Sequence, residues 1–192
     1  MKLLEERIRK DGKVFPGDIL KVDSFLNHQV DIKLMDEIGK EFCRLFKDCD
    51  PTKILTIEAS GIAIGQAASR YFGFIPVVYA KKGDAANLDS DLYSAKERSY
   101  TRGVDYMVNV SKQYLSPEDR VLILDDFLAN GEAMAALINI CEQAGAKVLG
   151  CGSVICKTYQ PGEKRIKDMG YKVEVLARVK AMHDDGQIEF ED

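Results

Sequence analysis

The residues with the clearest chemical potential are two adjacent carboxylates, Asp125 and Asp126, within the sequence VLILDDFLANGEA at 121–133. Four apolar residues precede them, which is typical of a strand buried on both faces of a parallel sheet. Asn130 and Gly131 then predict a turn into an alanine-rich helix, whose N-terminus carries about half a positive charge and binds anions. Carboxylates beside an anion site can bind ribose hydroxyls or magnesium. The segment therefore predicts a site for a phosphorylated sugar at the carboxyl end of a strand.

Two other segments place polar groups after predicted strands. Ser60 lies in the sequence EASG at 58–61, where backbone amides could hold a second anion, although such residues most often form only a turn. Lys81 and Lys82 open a long polar stretch. Lysines at a strand end are usually solvated, but here they could neutralise phosphate groups while a loop closes. The residues alone leave both interpretations open for each segment.

Strands and helices alternate along the chain and must bring these segments together. Predicted strands cover 53–58, 76–80, 106–110, 121–124, 147–156 and 172–178. Predicted helices cover 4–10, 32–46, 62–72, 131–144 and 161–169. Asp31 is predicted to cap the second of these helices. The alternation predicts an α/β fold with a mainly parallel sheet.

The segments 20–29 and 81–105 lack such a pattern. The first precedes the helix capped by Asp31 and is predicted to be an irregular connection. The second is rich in Asp, Ser and Gly. Because loops longer than about 12–15 residues are usually functional lids or disordered, a polar lid is predicted there.

The composition predicts one globular domain over 1–192. Hydrophobic residues make up 46% and charged residues 30% of the chain, which excludes a disordered protein. The net charge of −4 without a basic run argues against a nucleic-acid partner. A membrane partner is not expected, because no apolar run approaches the roughly 20 residues that cross a bilayer, and the charged N-terminus does not resemble a signal peptide. Five cysteines without a Cys-x-x-Cys pair favour reduced thiols in the cytoplasm.

The segment 121–133 resembles the phosphoribosyl-pyrophosphate signature of the type I phosphoribosyltransferases. The resemblance implies a mainly parallel twisted sheet flanked by helices, with a small hood subdomain formed by residues 1–30 and the C-terminal end. It also implies that Asp125 and Asp126 are catalytic and belong to the shell of a Mg²⁺ ion. The implied ligands of phosphoribosyl pyrophosphate are Ala129, Asn130, Gly131, Glu132, Ala133, Ser60, Lys81 and Lys82.

We call residues 129–133 the phosphate loop. It departs from this family pattern at Glu132 and Ala133, where many relatives have Thr-Gly-Gly-Thr or a similar run. Glu132 would place a negative charge beside the expected phosphate. Either its side chain points away and only its N–H binds, or binding is weakened; both alternatives stay open. Hypoxanthine-guanine relatives carry an acid at the position of Ala129. The resemblance therefore implies that this loop supplies no general acid or base.

A second resemblance concerns the acceptor of the sugar. The run KVDSFLNHQ at 21–29 closely resembles the hood of the bacterial xanthine phosphoribosyltransferases, and Lys157 and Tyr159 follow a predicted strand as in that family. The implied xanthine ligands are the backbone of Leu20 and the side chains of Asn27, Lys157 and Tyr159. Lys157 would donate to the 6-oxygen and Tyr159 would stack on the base, while Asn27 and Leu20 would read position 2.

The resemblance therefore implies transfer of the phosphoribosyl group to xanthine, a purine-salvage step, by a cytoplasmic homodimer that uses Mg²⁺. A guanine or hypoxanthine phosphoribosyltransferase on the same scaffold remains an alternative. A regulator that senses phosphoribosyl pyrophosphate is a third interpretation. Repressors of that kind carry an extra DNA-binding domain. Only about 30 residues precede the predicted helix over 32–46 here, which disfavours this interpretation. A dinucleotide-binding enzyme is disfavoured because no Gly-x-Gly-x-x-Gly follows a strand.

Overall fold

The computed structural model of the chain describes residues 1–83, 91–99, 104–183 and 185–191. Its α-helices are α1 (Lys2–Asp11), α2 (Ile32–Leu45), α3 (Ser60–Tyr71), α4 (Glu132–Ala144) and α5 (Gly162–Asp168). Its strands are β1 (Lys13–Phe15), β2 (Ile19–Lys21), β3 (Lys53–Ile57), β4 (Val77–Lys82), β5 (Leu92–Ser99), β6 (Val104–Ser111), β7 (Arg120–Leu128), β8 (Lys147–Lys157), β9 (Val173–Met182) and β10 (Ile188–Phe190). A one-turn π-helix spans Asp23–Asn27 and a 3₁₀ turn spans Lys112–Tyr114.

Across the described ranges, the main sheet has the strand order β10-β9-β8-β7-β3-β4-β6-β5. The five strands from β9 to β4 are parallel, whereas β10, β6 and β5 pair antiparallel with their neighbours. After β3 the chain moves outward to β4 and later returns to the other side of β3 to form β7. Open α/β sheets bind ligands at such a topological switch point. The predicted α/β fold with a mainly parallel sheet is confirmed.

The central strands are buried on both faces, as their apolar runs predict. In β7, Leu122 and Leu124 belong to one hydrophobic cluster, and Val121 and Ile123 belong to the other. Buried side chains of α1, α2 and α3 share the first cluster, while those of α4 share the second. Successive side chains of a strand point to opposite faces, so one short strand anchors both layers of helices.

Local signals place the helix ends that frame the sheet. Asp31 Oδ1 accepts hydrogen bonds from the amides of Lys33 and Leu34, each at 3.1 Å, which confirms the predicted cap of α2. Gly145 ends α4 in the left-handed conformation with a φ of 70°. No helix within the described ranges is long and apolar enough to cross a membrane.

The prediction of a polar lid over 81–105 is wrong for much of that stretch. β4 continues through Lys82, and β5 pairs with β6 over eight residues in an antiparallel hairpin. Tyr93 and Ala95 pack on the cluster that contains α4, while the polar residues of β5 suit the edge of a sheet. Periodicity did not reveal β5 because apolar residues are few in it. Residues 84–90 and 100–103 of the predicted lid lie outside the described residues.

The prediction of an irregular connection over 20–29 is also wrong. β1 and β2 form a separate two-stranded hairpin, and the π-helix follows directly. Phe25 and Leu26 of that π-helix are fully buried in the core. Burial of these two side chains holds the segment against the body of the domain. In the structure, we restrict the name hood to residues 13–27, which are part of the segment 1–30 that the resemblance assigns to a hood subdomain.

Candidate active site

A cleft of about 570 Å³ opens at the switch point between β3 and β7. Ten of the predicted site residues line it: Ser60, Lys82, Asp125, Asp126, Ala129, Asn130, Gly131, Glu132, Ala133 and Lys157. The sequence did not predict the other residues that line it: Gly17, Asp18, Ile57, Glu58, Glu97, Phe127, Leu128, Met134 and Gln160. The structure therefore brings the phosphate loop, the acid pair and Lys157 together in one cleft.

The acid pair lies inside β7 rather than after it, because the strand continues to Leu128. Asp126 Oδ2 accepts hydrogen bonds from Ser60 Oγ at 2.7 Å and from Asn27 Nδ2 at 3.3 Å. Asp126 Oδ1 accepts from the amide of Phe127 at 2.9 Å. Asp126 thereby links β7 with the start of α3 and with the hood.

Asp125 is the buried member of the pair, with 4% of its surface exposed. Burial raises the pKa of its carboxyl well above the ordinary value, and the adjacent carboxylate of Asp126 raises it further. The amide of Asp126 donates to Asp125 Oδ1 at 2.9 Å, which opposes the shift. A cation bound beside this carboxyl group would favour its ionised form.

Replacing Asp125 with asparagine is expected to stabilise the fold near neutral pH. A raised pKa means that the folded chain binds this proton more tightly than the unfolded chain does. The stability is complete below the unfolded pKa of about 3.9 and is lost as the pH rises through the folded pKa. Asparagine keeps the acceptor for the Asp126 amide but carries no charge. We expect Asp125→Asn to gain about 0.5–2 kcal/mol near pH 7, as measured by urea unfolding with EDTA.

The gain should shrink as the pH is lowered towards the unfolded pKa of about 3.9 and disappear below it, where Asp125 is protonated in both states. Asp168→Asn, at an exposed position of α5, is the matched control and should change stability little at either pH. Equal or lower stability of Asp125→Asn at neutral pH would contradict the assignment of a raised pKa.

The phosphate loop joins β7 to α4 through Gly131, whose φ of 79° lies in the left-handed region. A glycine adopts this conformation without steric cost. The amide of Gly162, in the first turn of α5, donates to the carbonyl of Ala129 at 2.9 Å. The loop thus lies between the N-terminus of a 13-residue helix and the start of α5, and its residues line the cleft.

A residue of α5 pairs with Glu132, which favours the alternative in which the Glu132 side chain points away from the phosphate. The Glu132 carboxylate forms an ion pair with the guanidinium of Arg165 at 2.6 Å. The same guanidinium donates to the carbonyl of Asn130 at 3.3 Å. The negative charge is therefore paired outside the phosphate loop, and the amide of Glu132 at the start of α4 remains suited to an anion.

The two predicted lysines point in different directions, because successive side chains of a strand alternate. Lys82 faces the cleft and forms an ion pair with the buried Glu97 at 3.2 Å. Its backbone amide donates to Glu58 Oε1 at 2.7 Å, which ties the turn after β3 to β4. Lys81 instead lines a depression on the other side of β4 with Tyr79. Lys81 therefore lies outside the lining of this cleft, and its predicted contact with phosphoribosyl pyrophosphate stays a prediction.

At the acceptor end of the cleft, the hood meets the segment after β8. The ammonium of Lys157 donates to the backbone carbonyl of Asp18. The Tyr159 hydroxyl donates to Asp18 Oδ1 at 3.0 Å, and Gln160 Nε2 donates to Asp18 Oδ2 at 2.9 Å. Burial lowers the pKa of Lys157, and the charge of Asp18 opposes that shift.

Three predicted acceptor ligands lie beside the cleft rather than in its lining. Tyr159 is 44% exposed and is bonded to Asp18. Leu20 is buried and pairs with Val14 in the hood, so its side chain belongs to the core. Asn27 is exposed and contacts the site through its bond to Asp126.

Sequence reasoning missed Asp18 and Glu97. A turn could have been recognised in the sequence PGD at 16–18, because proline, glycine and aspartate favour turns. The contact of Asp18 with a segment about 140 residues away leaves no signal in the neighbouring sequence. Glu97 lies in the strand that was taken for a loop.

No family model matches the chain. Xanthine phosphoribosyltransferase 2 of Clostridium botulinum is 54% identical over 185 residues, which cover 96% of this chain and 97% of that protein. The xanthine phosphoribosyltransferase of Pediococcus pentosaceus is 51% identical over 191 residues, which cover 100% of both chains. Among solved structures, the APRTase from Giardia lamblia complexed with 9-deazaadenine has a TM-score of 0.78. It is 23% identical and covers 93% of this chain and 98% of its own, a likeness that shows the fold alone.

The sheet order, the cleft at the switch point and the curated relatives agree with one another. The fold matches that of an adenine phosphoribosyltransferase, whereas the curated relatives share more than half of their residues with this chain over nearly its full length. The chain therefore belongs to the xanthine phosphoribosyltransferase family, within the type I phosphoribosyltransferase fold.

Proposed function

We propose that the protein transfers the 5-phosphoribosyl group from phosphoribosyl pyrophosphate to xanthine, giving xanthosine monophosphate and pyrophosphate in purine salvage. The observation that carries the proposal is the single cleft in which a phosphate loop and an acid pair meet Lys157. Membership in the xanthine phosphoribosyltransferase family supports the choice of acceptor. We also propose that residues 1–192 form one catalytic domain.

The sugar end of the cleft is formed by residues 129–133 with Ser60 and Lys82. These loop residues line the cleft at the N-terminus of α4, a position that suits a phosphate group. Ser60 and the turn after β3 suit the pyrophosphate. Lys82 supplies a cation at that end once its ammonium exchanges Glu97 for phosphate oxygens.

The residues that line the cleft fit a magnesium ion. They include six acidic side chains, of which Glu132 is paired with Arg165 and Glu97 with Lys82. The other four would repel a highly charged anion in the absence of a cation. No cluster of three His, Cys, Asp or Glu side chains suited to a metal occurs in the described part of the chain. Magnesium is commonly held by one or two carboxylates together with substrate phosphates, a role that Asp125 and Asp126 would fill. When bound, it would neutralise charge on the leaving pyrophosphate.

The reaction forms a bond from a purine nitrogen to the anomeric carbon and breaks the bond to pyrophosphate, which takes the electron pair. The purine nitrogen loses its proton to solvent. Positive charge develops on the ribose as the leaving group departs. The carboxylate of Asp126 stabilises this charge, and its bonds to Ser60 and Asn27 hold it in place before the substrates react. Ala129 offers no proton-transfer group, so the loop does not act on the purine proton.

At the acceptor end, Lys157 is a donor for the 6-oxygen of xanthine. Its ammonium has three N–H groups, and the contact with Asp18 uses one of them. Adenine carries an amine at position 6, which would face Lys157 donor to donor. An unpaired buried polar group costs about 1–3 kcal/mol, which disfavours adenine. Asn27 can present either an oxygen or a nitrogen, so it constrains position 2 less.

A purine panel tests the proposal. Release of pyrophosphate is measured with xanthine, guanine, hypoxanthine and adenine, each with phosphoribosyl pyrophosphate and magnesium. We expect kcat/KM to be highest for xanthine. Equal or faster turnover of guanine or hypoxanthine would show that xanthine is not the preferred acceptor, while the proposed transfer of the phosphoribosyl group would stand. Tight binding of phosphoribosyl pyrophosphate without turnover of any purine would favour a regulatory role.

We also propose that the protein acts in the cytoplasm as a homodimer. Phe74, Tyr79, Met107 and Tyr114 are large side chains between 40% and 78% exposed, and Tyr79 and Tyr114 line the depression between β4 and β6. Burying such side chains against a second copy would stabilise a dimer. Sedimentation velocity would reveal a monomer if this part of the proposal is wrong.

A further inference from the structure

Asp18 occupies the tip of the hood hairpin, between β1 and β2. Its φ of 68° lies in the left-handed region, and Gly17 before it has a φ of 83°. A tight turn of this kind projects the carbonyl and the carboxylate of Asp18 away from the hairpin. Aspartate and asparagine adopt this conformation more readily than most residues with a side chain.

Each polar group projected by Asp18 meets a donor from the segment 157–160. The carbonyl accepts from Lys157, and the two carboxylate oxygens accept from Tyr159 and Gln160 separately. Lys157 is the last residue of β8, and Tyr159 and Gln160 lie in the short connection from β8 to α5. We call this set of contacts the Asp18 clasp.

The clasp closes one wall of the cleft. Gly17 and Asp18 line the cleft from the hood, and Lys157 and Gln160 line it from the other side. The hood reaches the rest of the site through Asn27, whose contact with Asp126 is exposed and long at 3.3 Å. The clasp is therefore the stronger polar link between the tip of the hood and the acceptor end of the cleft.

We propose that Asp18 is a positioning residue, which fastens the hood to the segment 157–160 and fixes the Lys157 ammonium for the acceptor. The proposal rests on the proposed function for the role of Lys157, but the clasp itself does not. One N–H of Lys157 is held by a backbone carbonyl, which leaves the other two free to point at a purine oxygen. A lysine has four rotatable side-chain bonds, so an anchor at its tip reduces the freedom lost when the acceptor binds.

Three variants separate positioning from folding. Asp18→Gly keeps the left-handed turn but removes both side-chain contacts of the clasp. Asp18→Asn keeps the turn and the contacts, because the Tyr159 hydroxyl and the Gln160 amide can each accept from the new amide group. Lys13→Ala changes an exposed position on the same hairpin and is the matched control.

We expect Asp18→Gly to raise the KM for xanthine about 10-fold and to change the KM for phosphoribosyl pyrophosphate less than about 2-fold. Asp18→Asn should restore most of the xanthine affinity, and Lys13→Ala should resemble the unaltered protein. Amide hydrogen exchange, followed by mass spectrometry, should be faster over 13–21 in Asp18→Gly alone.

The two readouts keep the outcomes distinct. Faster exchange with equal changes in both KM values, or with none, would overturn the positioning role. Unchanged exchange over 13–21 would overturn the clasp itself. If the unaltered protein used no purine while exchange still increased in Asp18→Gly, the proposed function and the positioning role would fail, whereas the clasp would stand.

Discussion

Replacing Asp126 with asparagine is expected to lower kcat/KM for pyrophosphate release by about 10²–10³-fold, the loss typical of removing a preorganised electrostatic group. The variant removes the charge and little else. The Ser60 hydroxyl can turn to accept from the new amide group, and the Asn27 amide can present its oxygen. The Phe127 amide keeps an acceptor at the side-chain oxygen.

The measurement is steady-state kinetics with both substrates varied, together with thermal unfolding. Asp168→Asn on the exposed surface of α5 is the control for loss of a carboxylate and should keep full activity. A loss below about 10-fold in a normally folded Asp126→Asn variant would show that the carboxylate does not stabilise the reacting sugar. A large loss accompanied by unfolding would instead assign Asp126 a structural role.

Replacing Gly162 with alanine should have the second largest effect, through the backbone of the phosphate loop. A β-carbon at this position would lie 2.7 Å from the amide nitrogen of Gly131 and closer still to the Ala129 carbonyl. Both contacts are with backbone, so the loop or the start of α5 must move. A displacement of about 1 Å in a positioned group can cost about 100-fold in rate.

We expect Gly162→Ala to lower kcat/KM about 100-fold, mainly through a raised KM for phosphoribosyl pyrophosphate. Overpacking should also destabilise the fold by about 1–3 kcal/mol, which urea unfolding would measure. Lys164→Ala, two residues later on the exposed face of α5, is the control and should behave normally. Unaltered affinity for phosphoribosyl pyrophosphate in Gly162→Ala would contradict the view that α5 supports the loop.

The central part of the fold could be predicted because its signals are local. The apolar run before Asp125 predicts a strand buried on both faces, and Leu122 and Ile123 indeed pack on opposite sides of β7. Asp31 caps α2 as its position before an amphipathic segment predicts. Such signals lie within a few residues of the element that they define.

The parts that were missed depend on contacts with distant residues. β5 carries Lys96 and Glu97 where an apolar alternation would have revealed a strand, and it is held instead by pairing with β6. The prediction ended β4 at Ala80, so alternation could not separate Lys81 from Lys82. Glu132 could not be assigned until α5 placed Arg165 beside it. Each of these outcomes follows from tertiary packing, which has no local signature.

The position of the Asp18 clasp in the chain has a consequence for the order of folding. Asp18 and Tyr159 are separated by 141 positions, so this contact closes almost the whole chain into a loop. Closing a longer loop costs more chain entropy, and such contacts form after local ones. The segment from β3 to α4 contains the acid pair and the phosphate loop within fewer than 100 residues. During synthesis, the strands and helices that carry the acid pair can therefore form first, whereas the purine half of the cleft and the support that α5 gives the phosphate loop must wait for β8 and α5 to emerge.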